Sequence, residues 1–215
     1  MLKLGVLISG GGTNLQAIID EIEAKRLDAK ISLVISSKPD AGGLERAKKH
    51  GIKTLVITKA DHPEREAYDK AIVAALKDAG AELVVLAGFM RIVTPTLINA
   101  FKNKIINIHP ALLPAFPGLD VQQKAIDYGA RFSGATVHFV DEGVDTGPVI
   151  LQAVVPVLQN DTAKTLAARI LNEEHKILPE AIRLISEGRV SVQGRRVIIK
   201  DAAENDTPLT NPKTR

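Results

Sequence analysis

Asn107 and His109 stand two positions apart at the end of the apolar run KIINIH, and Asp145 lies in the polar, glycine-punctuated stretch DEGVDTGP. In an extended strand, a spacing of two sends both side chains to the same face. An amide, an imidazole and a carboxylate together suit attack on a carbonyl. Asn107 and a protonated His109 can donate to the developing oxyanion, while Asp145 keeps the histidine protonated and relays the proton released by the nucleophile. No Ser stands in a recognisable nucleophile elbow, so direct transfer between two substrates is favoured over an acyl-enzyme. Taken singly, the same residues have a plainer reading, in which Asn107 satisfies loop backbone groups and His109 closes the strand.

A second candidate is SGGGTN, Ser9 to Asn14, where the first apolar run meets the first amphipathic one. Glycines there let backbone N–H groups converge, and the positive end of a helix favours a phosphate. Thr13 or Asn14 can also cap that helix. Gly10 and Gly12 fit the first two positions of G-x-G-x-x-G, but the third is Leu15. The next strand ends in Ser36-Ser37, with no acid for a ribose diol, and no Gly-Lys-Ser/Thr follows. A phosphate monoester site and a tight strand-to-helix turn both remain open. The other histidines (His50, His62, His138 and His175) form neither an i, i+4 ligand pair nor H-E-x-x-H, so no metal is expected. His138 alternates within ATVHFV and is expected just behind the polar trio.

The elements that would position these residues follow from periodicity. LKLGVLIS, AKISLVIS, IKTLVI, AELVVLAG and KIINIH read as five strands. Between them lie helical stretches, one from about Thr13 to Lys25 and one over PEREAYDKAIVAALKDAG with Ala67, Ala71, Val73, Ala74 and Leu76 inward. The fourth strand shows no polar alternation, as expected when both of its faces are covered. Strands alternating with helices specify an α/β fold, an open, doubly wound and mostly parallel sheet. SGATVHFV and VILQAVVPV then alternate around DEGVDTGP, which predicts an antiparallel extension. A long helix from about Thr162 to Gly188 packs Leu166, Ile170, Ile177, Ala181 and Ile185 inward, with a kink expected at Pro179. VSVQGRRVIIK reads as a hairpin turning at Gln193-Gly194. Residues 1–200 are expected to form one domain and residues 201–215 a flexible tail.

Composition bounds the chemistry. With 215 residues, 45% hydrophobic, the chain can bury a full core without staples. It has no cysteine, which excludes disulfides, thiolate nucleophiles and cysteine-ligated metals. The N-terminal apolar run is too soon broken by glycines for a signal peptide, and no run approaches a membrane span, so a cytoplasmic protein is expected. The net charge of +3 is scattered apart from Arg195, Arg196 and Lys200, which argues against nucleic acid as a partner.

ISGGGTNLQAII, VLAGFMRIV, IINIHPALLPAFPGLD, GATVHFVDEGVDTGPVILQ and EEHKILPEAI resemble the phosphoribosylglycinamide formyltransferases, folate-dependent enzymes of purine synthesis, in order and at the expected spacings from about residue 2 to 193. The resemblance implies formyl transfer from the co-substrate 10-formyltetrahydrofolate to the amine of glycinamide ribotide, with Asn107, His109 and Asp145 as the catalytic trio. It further implies that Gly12, Thr13 and Asn14 hold the ribose phosphate and that Glu174 contacts the ribotide. Arg65, Met90, Arg91, Ile92, Val93, Asn107 and the Asp141–Asp145 loop would shape the folate pocket. The implied partners are small molecules only, without metal or membrane, for a monomer or homodimer. Without the family, Glu173 and Glu174 would read as solvated helix charges and GFMRIV as core. Ala115 stands where some members carry Lys, and Thr13 where others have Ser. Methionyl-tRNA formyltransferases, expected to add a basic C-terminal domain, and formyltetrahydrofolate hydrolases, expected to add an N-terminal regulatory domain, share the same polar trio. A non-catalytic folate- or nucleotide-binding module would not need it.

Overall fold

LKLGVLI forms β1 (Leu2–Ile8), whose last five residues are buried because the strand is covered on both sides. The computed structural model describes residues 1–203 and 206–212. After β1 come α1 (Thr13–Glu23), β2 (Ala29–Ser36), α2 (Gly42–Lys49), β3 (Thr54–Val56), α3 (Arg65–Asp78), β4 (Leu83–Leu86), α4 (Pro95–Ala100) and β5 (Ile105–His109). Next are α5 (Val121–Tyr128), β6 (Phe132–Phe139), β7 (Val149–Pro156), α6 (Ala163–Ser186), β8 (Val190–Gln193) and β9 (Arg196–Ile199).

Seven strands form one sheet in the order β3-β2-β1-β4-β5-β6-β7. The first five pair in parallel, and β6 and β7 continue the sheet antiparallel, as the change of pattern after residue 130 predicts. The order reverses between β1 and β4, so the loops leaving these two strands diverge and open a crevice, where ligands of open α/β sheets bind. Side-chain alternation splits the core in two. Val6, Ile8, Leu83 and Val85 face α1 and α6 with Leu15, Ile18, Leu166 and Ile170. Leu7, Val84 and Leu86 face α3 and α4 with Tyr68, Ile72, Leu76 and Leu97. The small sheet β8-β9 lays Val190, Val192, Val197 and Ile199 against the first of these cores.

Two expectations change. On α3 the inward stripe is Tyr68, Asp69, Ile72 and Leu76, while Ala67 and Ala74 face solvent. The helix is rich in Ala, which carries little transfer energy, so the large side chains at 68, 72 and 76 set its rotation. The hairpin turns at Gly194-Arg195 rather than Gln193-Gly194, because Gln193 still pairs with Arg196 and Gly194 supplies the positive φ of 62°. Helix α6 runs unbroken through Pro179. In the tail, Asn211 donates to the carbonyls of Arg131 (2.7 Å) and Val157 (3.0 Å), which ties that residue to the sheet. The expectation for residues 204–205 and 213–215 lies outside the described residues. Among the described residues, no helix is long and apolar enough to cross a membrane.

Asp161 secures the start of α6. Its carboxylate accepts two bonds from Arg169 (2.8 and 2.9 Å), one from the Leu158 amide (2.8 Å) and one from the Thr165 hydroxyl (2.8 Å). The Arg169 guanidinium above all holds this carboxyl far below the usual aspartate range. Asp161→Asn is expected to cost about 2 kcal/mol, or roughly 4–8 °C in Tm. A depressed folded-state pKa stabilises above the unfolded value, about 3.9, and that contribution fades as pH falls below it. The gap between wild type and variant in thermal unfolding should therefore be full at pH 6 and narrow as pH falls below about 4, with most of it still present at pH 3 because the folded-state carboxyl titrates far lower.

Candidate active site

Pairing of β5 with β6 sets Asn107 opposite His138 and His109 opposite Thr136, so these four side chains share one face. The loop after β6 folds back over that face and brings Asp145 onto it. Asp145 Oδ2 lies 3.3 Å from His109 Nδ1 and accepts the Gly118 amide at 2.9 Å. Its Oδ1 is 3.5 Å from Asn107 Nδ2 and 3.7 Å from His138 Nε2. Burial pushes the Asp145 carboxyl up, but His138, the Gly118 amide and the charge of His109 together outweigh it and hold the group below the ordinary aspartate range. Of these, the Gly118 bond has full hydrogen-bond geometry, whereas His138 Nε2 at 3.7 Å lies beyond hydrogen-bond distance. Asp145 itself has φ 55° and Phe116 has φ 52°, left-handed values that non-glycine residues hold only when surroundings impose them.

His109 is buried and both ring nitrogens are engaged, Nδ1 toward Asp145 and Nε2 at 2.9 Å from the Phe116 carbonyl. The sequence suggests that His109 presents an N–H to the oxyanion. In the structure that N–H already has an acceptor, so the Phe116 carbonyl occupies the role an oxyanion would take. His138 Nδ1 donates to the Phe139 carbonyl at 2.8 Å. In the neutral ring this leaves Nε2 as an acceptor, 3.2 Å from Asn107 Nδ2, and the contact orients the Asn107 amide. Thr136 completes the frame: its hydroxyl donates to the Ala111 carbonyl (2.6 Å) and accepts the Leu113 amide (3.1 Å), holding the Pro110–Gly118 loop against β6.

Above these groups lies a cavity of about 500 Å³, lined by Met90 to Val93, Asn107, His109, Asp141 and Asp145 among others. Met90 and Ile92 are exposed, at 66% and 60%, and Leu119 and Val144 add to this apolar rim. GFMRIV is thus a loop at the mouth of a cleft rather than uniform core. It is braced from behind. The Ser9 hydroxyl accepts the Met90 amide (2.9 Å), Arg91 stacks over Tyr68 (3.9 Å), and buried Asp69 accepts from the Thr94 amide and hydroxyl. Arg65 bonds the Ile92 carbonyl at 3.3 Å and does not line the cavity.

At the glycine turn, Gly12 occupies the N-cap position of α1 with φ 71°, and neither Thr13 nor Asn14 caps the helix. Asn14 instead reaches across the molecule, its Nδ2 donating to Glu174 Oε2 at 2.7 Å. Both are buried, and burial raises the Glu174 carboxyl, an effect the Asn14 bond opposes. Helix α2 buttresses the turn: the Gly43 amide donates to Gly10 O (3.0 Å) and Arg46 Nε to Gly11 O (2.8 Å). Thr13, Arg46 and His175 line a separate cavity of about 390 Å³.

Residues 2–182 match the formyl transferase family. The chain belongs to that family. It is 41% identical over 191 residues to the phosphoribosylglycinamide formyltransferase of Escherichia coli K12, covering 89% of this chain and 90% of that protein. It is 50% identical over 188 residues to the trifunctional purine biosynthetic protein adenosine-3 of Drosophila pseudoobscura pseudoobscura, covering 86% of this chain but spanning only 14% of that relative's length. Its fold matches the crystal structure of glycinamide ribonucleotide transformylase 1 from Symbiobacterium toebii with a TM-score of 0.92 and 53% identity, over 94% and 95% of the two chains.

Within this family frame, the structure gathers Asn107, His109, Asp145, Asp141 and Met90–Val93 around one cleft and joins Asn14 to Glu174 beside the glycine turn. Sequence reading missed Asp69, Tyr68, Arg46 and the Phe116 carbonyl. For Glu174 a signal was present: it falls in the i, i+4 series Leu166, Ile170, Glu174, Leu178, Ile182, on the buried stripe of α6. Nothing in the local sequence marks Arg46.

Proposed function

We propose that the chain transfers a formyl group from 10-formyltetrahydrofolate to the amine of 5-phosphoribosylglycinamide. The observation that carries this reading is that one chain holds two sites: a cleft with an Asn–His–Asp trio under an apolar rim, and a glycine turn beside a buried Asn14–Glu174 pair. The first suits a pteridine carrying an activated one-carbon group, the second a ribose phosphate. The amine nitrogen attacks the formyl carbon, and the carbonyl electrons move onto oxygen. Asn107 and His109 donate to that oxyanion, with His109 exchanging the Phe116 carbonyl for it. The amine proton passes by way of water to Asp145 and then to the folate N10, as the carbon–N10 bond breaks and tetrahydrofolate leaves. Residues 1–200 act as one domain in this reading.

Glu174 and Asn14 hold the ribotide. Glu174→Gln keeps an acceptor for Asn14 but loses the charge, and KM for the ribotide is expected to rise roughly tenfold or more. Stability should move the other way. A folded pKa raised above the unfolded one penalises the ionised form, so the cost is present above the folded pKa and absent below the unfolded one. At pH 7.5 the variant should melt at or above the wild-type temperature, while steady-state kinetics record the weaker binding.

The decisive assay supplies 10-formyltetrahydrofolate with glycinamide ribotide, initiator methionyl-tRNA or water as acceptor. Formylation of the ribotide alone is expected. Formylation of the tRNA, or release of formate without an acceptor, would overturn the proposal.

A further inference from the structure

The hairpin β8–β9 has a rigid base and a charged tip. Its base is closed by Arg189, which donates to the carbonyls of Lys200 (2.9 Å) and Asp201 (3.0 Å), and by the Lys200 amide bonded to Arg189 O at 2.9 Å. Val190, Val192, Val197 and Ile199 lie on the core. The turn at Gly194 then projects Arg195, whose Nη2 donates to the Thr146 carbonyl at 2.7 Å. Arg169, Arg183 and Arg189 pair with carboxylates, whereas Arg195 spends its guanidinium on a backbone carbonyl next to Asp145. The hairpin lies beyond the segment that matches the family.

The loop that Arg195 grips is otherwise tied mainly to itself. Asp141 accepts from the Thr146 hydroxyl (2.6 Å) and the Gly143 amide (3.1 Å), and the Phe139 amide bonds Pro148 O (2.9 Å) at its base. Asp145 sits in this loop with a left-handed backbone, a conformation that relaxes unless both sides of the residue are held. Gly118 and His109 restrain its side chain from one direction. Arg195 restrains the following peptide from the other.

We infer that Arg195 is a positioning residue for the Asp141–Asp145 loop, a hairpin-borne clamp that keeps the Asp145 carboxylate aimed at His109. It acts through Thr146 and touches no reacting atom. The inference rests on the formyl transfer proposed above. A single charge-assisted bond to a partly solvated carbonyl predicts a moderate effect, roughly 3- to 10-fold.

The test compares the full-length wild type with Arg195→Ala and Arg195→Lys. For the alanine variant, kcat is expected to fall and KM for 10-formyltetrahydrofolate to rise within that range, with KM for the ribotide and Tm unchanged. Amide hydrogen exchange over residues 141–147 should quicken in the same variant without substrate, and lysine, which keeps a cationic donor, should recover part of both effects. Kinetics within twofold of wild type with unaltered exchange would overturn the inference. So would a lowered Tm with all kinetic constants reduced alike, since that marks the arginine as general scaffolding. If wild type itself fails to formylate the ribotide, the proposed function falls, while exchange over 141–147 still judges the clamp.

Discussion

Replacing Asp145 by alanine is expected to lower kcat by about 10²- to 10⁴-fold while the ribotide still binds with near wild-type affinity. The size follows from how much converges on one carboxylate. Its Oδ2 faces both His109 Nδ1 and the Gly118 amide, so its loss frees the imidazole and slackens the loop whose Phe116 carbonyl meets Nε2. Asp145→Asn should be nearly as damaging. An amide oxygen at the Oδ2 position keeps both donors, but the NH2 at the other position then faces the Asn107 amide, and the negative charge opposite His109 is lost. Ribotide affinity is spared because the glycine turn, Asn14 and Glu174 lie on other elements. Steady-state kinetics with each substrate varied separate the two parameters. Near-normal turnover in either variant would remove Asp145 from the chemistry.

The second large effect is expected at Gly12. A side chain there would place Cβ 2.5 Å from Gly43 Cα and 3.3 Å from Gly43 N, on a residue whose φ is 71°. Both objections are to the backbone itself, and no rotamer relieves them. Gly12→Ala should therefore lose at least about 2 kcal/mol of stability and raise the ribotide Kd by roughly 100-fold, as the N–H groups at the start of α1 lose their convergence. Gly10 and Gly11 make an internal control, since nothing lies within 4 Å of a Cβ at either and neither has positive φ. Their alanine variants should melt within a few degrees of wild type. Thermal unfolding and calorimetric titration of the ribotide decide between these outcomes. A stable, tightly binding Gly12→Ala protein would show that the turn is not the phosphate cradle.

The parallel sheet and its antiparallel extension were legible because the signal is local: runs such as LVVL exclude polar residues when both faces are covered, and the alternation in GATVHFV announces the change. The spacing of Asn107 and His109 was equally readable, since a two-residue period survives any tertiary context. Rotation about a helix axis was harder. Ala67 and Ala74 looked like part of an inward face of α3, yet the bulk of Tyr68 and Ile72 won, and buried Asp69 came with them as the bracket for Thr94. Contacts of long range left no trace in the local pattern. Arg46 on Gly11 and Arg195 on Thr146 are set by how distant segments dock, and the commitment of His109 Nε2 to Phe116 depends on the path of a loop.

The bond from Asn14 to Glu174 joins positions 160 residues apart in the chain. One partner lies on α1 and the other 160 residues later on α6, so this half of the site exists only once α6 has docked on α1. Any ligand held by both partners acts as a thermodynamic latch on that docking step, stabilising it by RT ln(1 + [L]/Kd), about 2.7 kcal/mol at a hundredfold excess over Kd. The substrate would then double as a chaperone of its own enzyme. A cell well supplied with ribotide would hold α6 down against proteases, and depletion of the ribotide would withdraw that support.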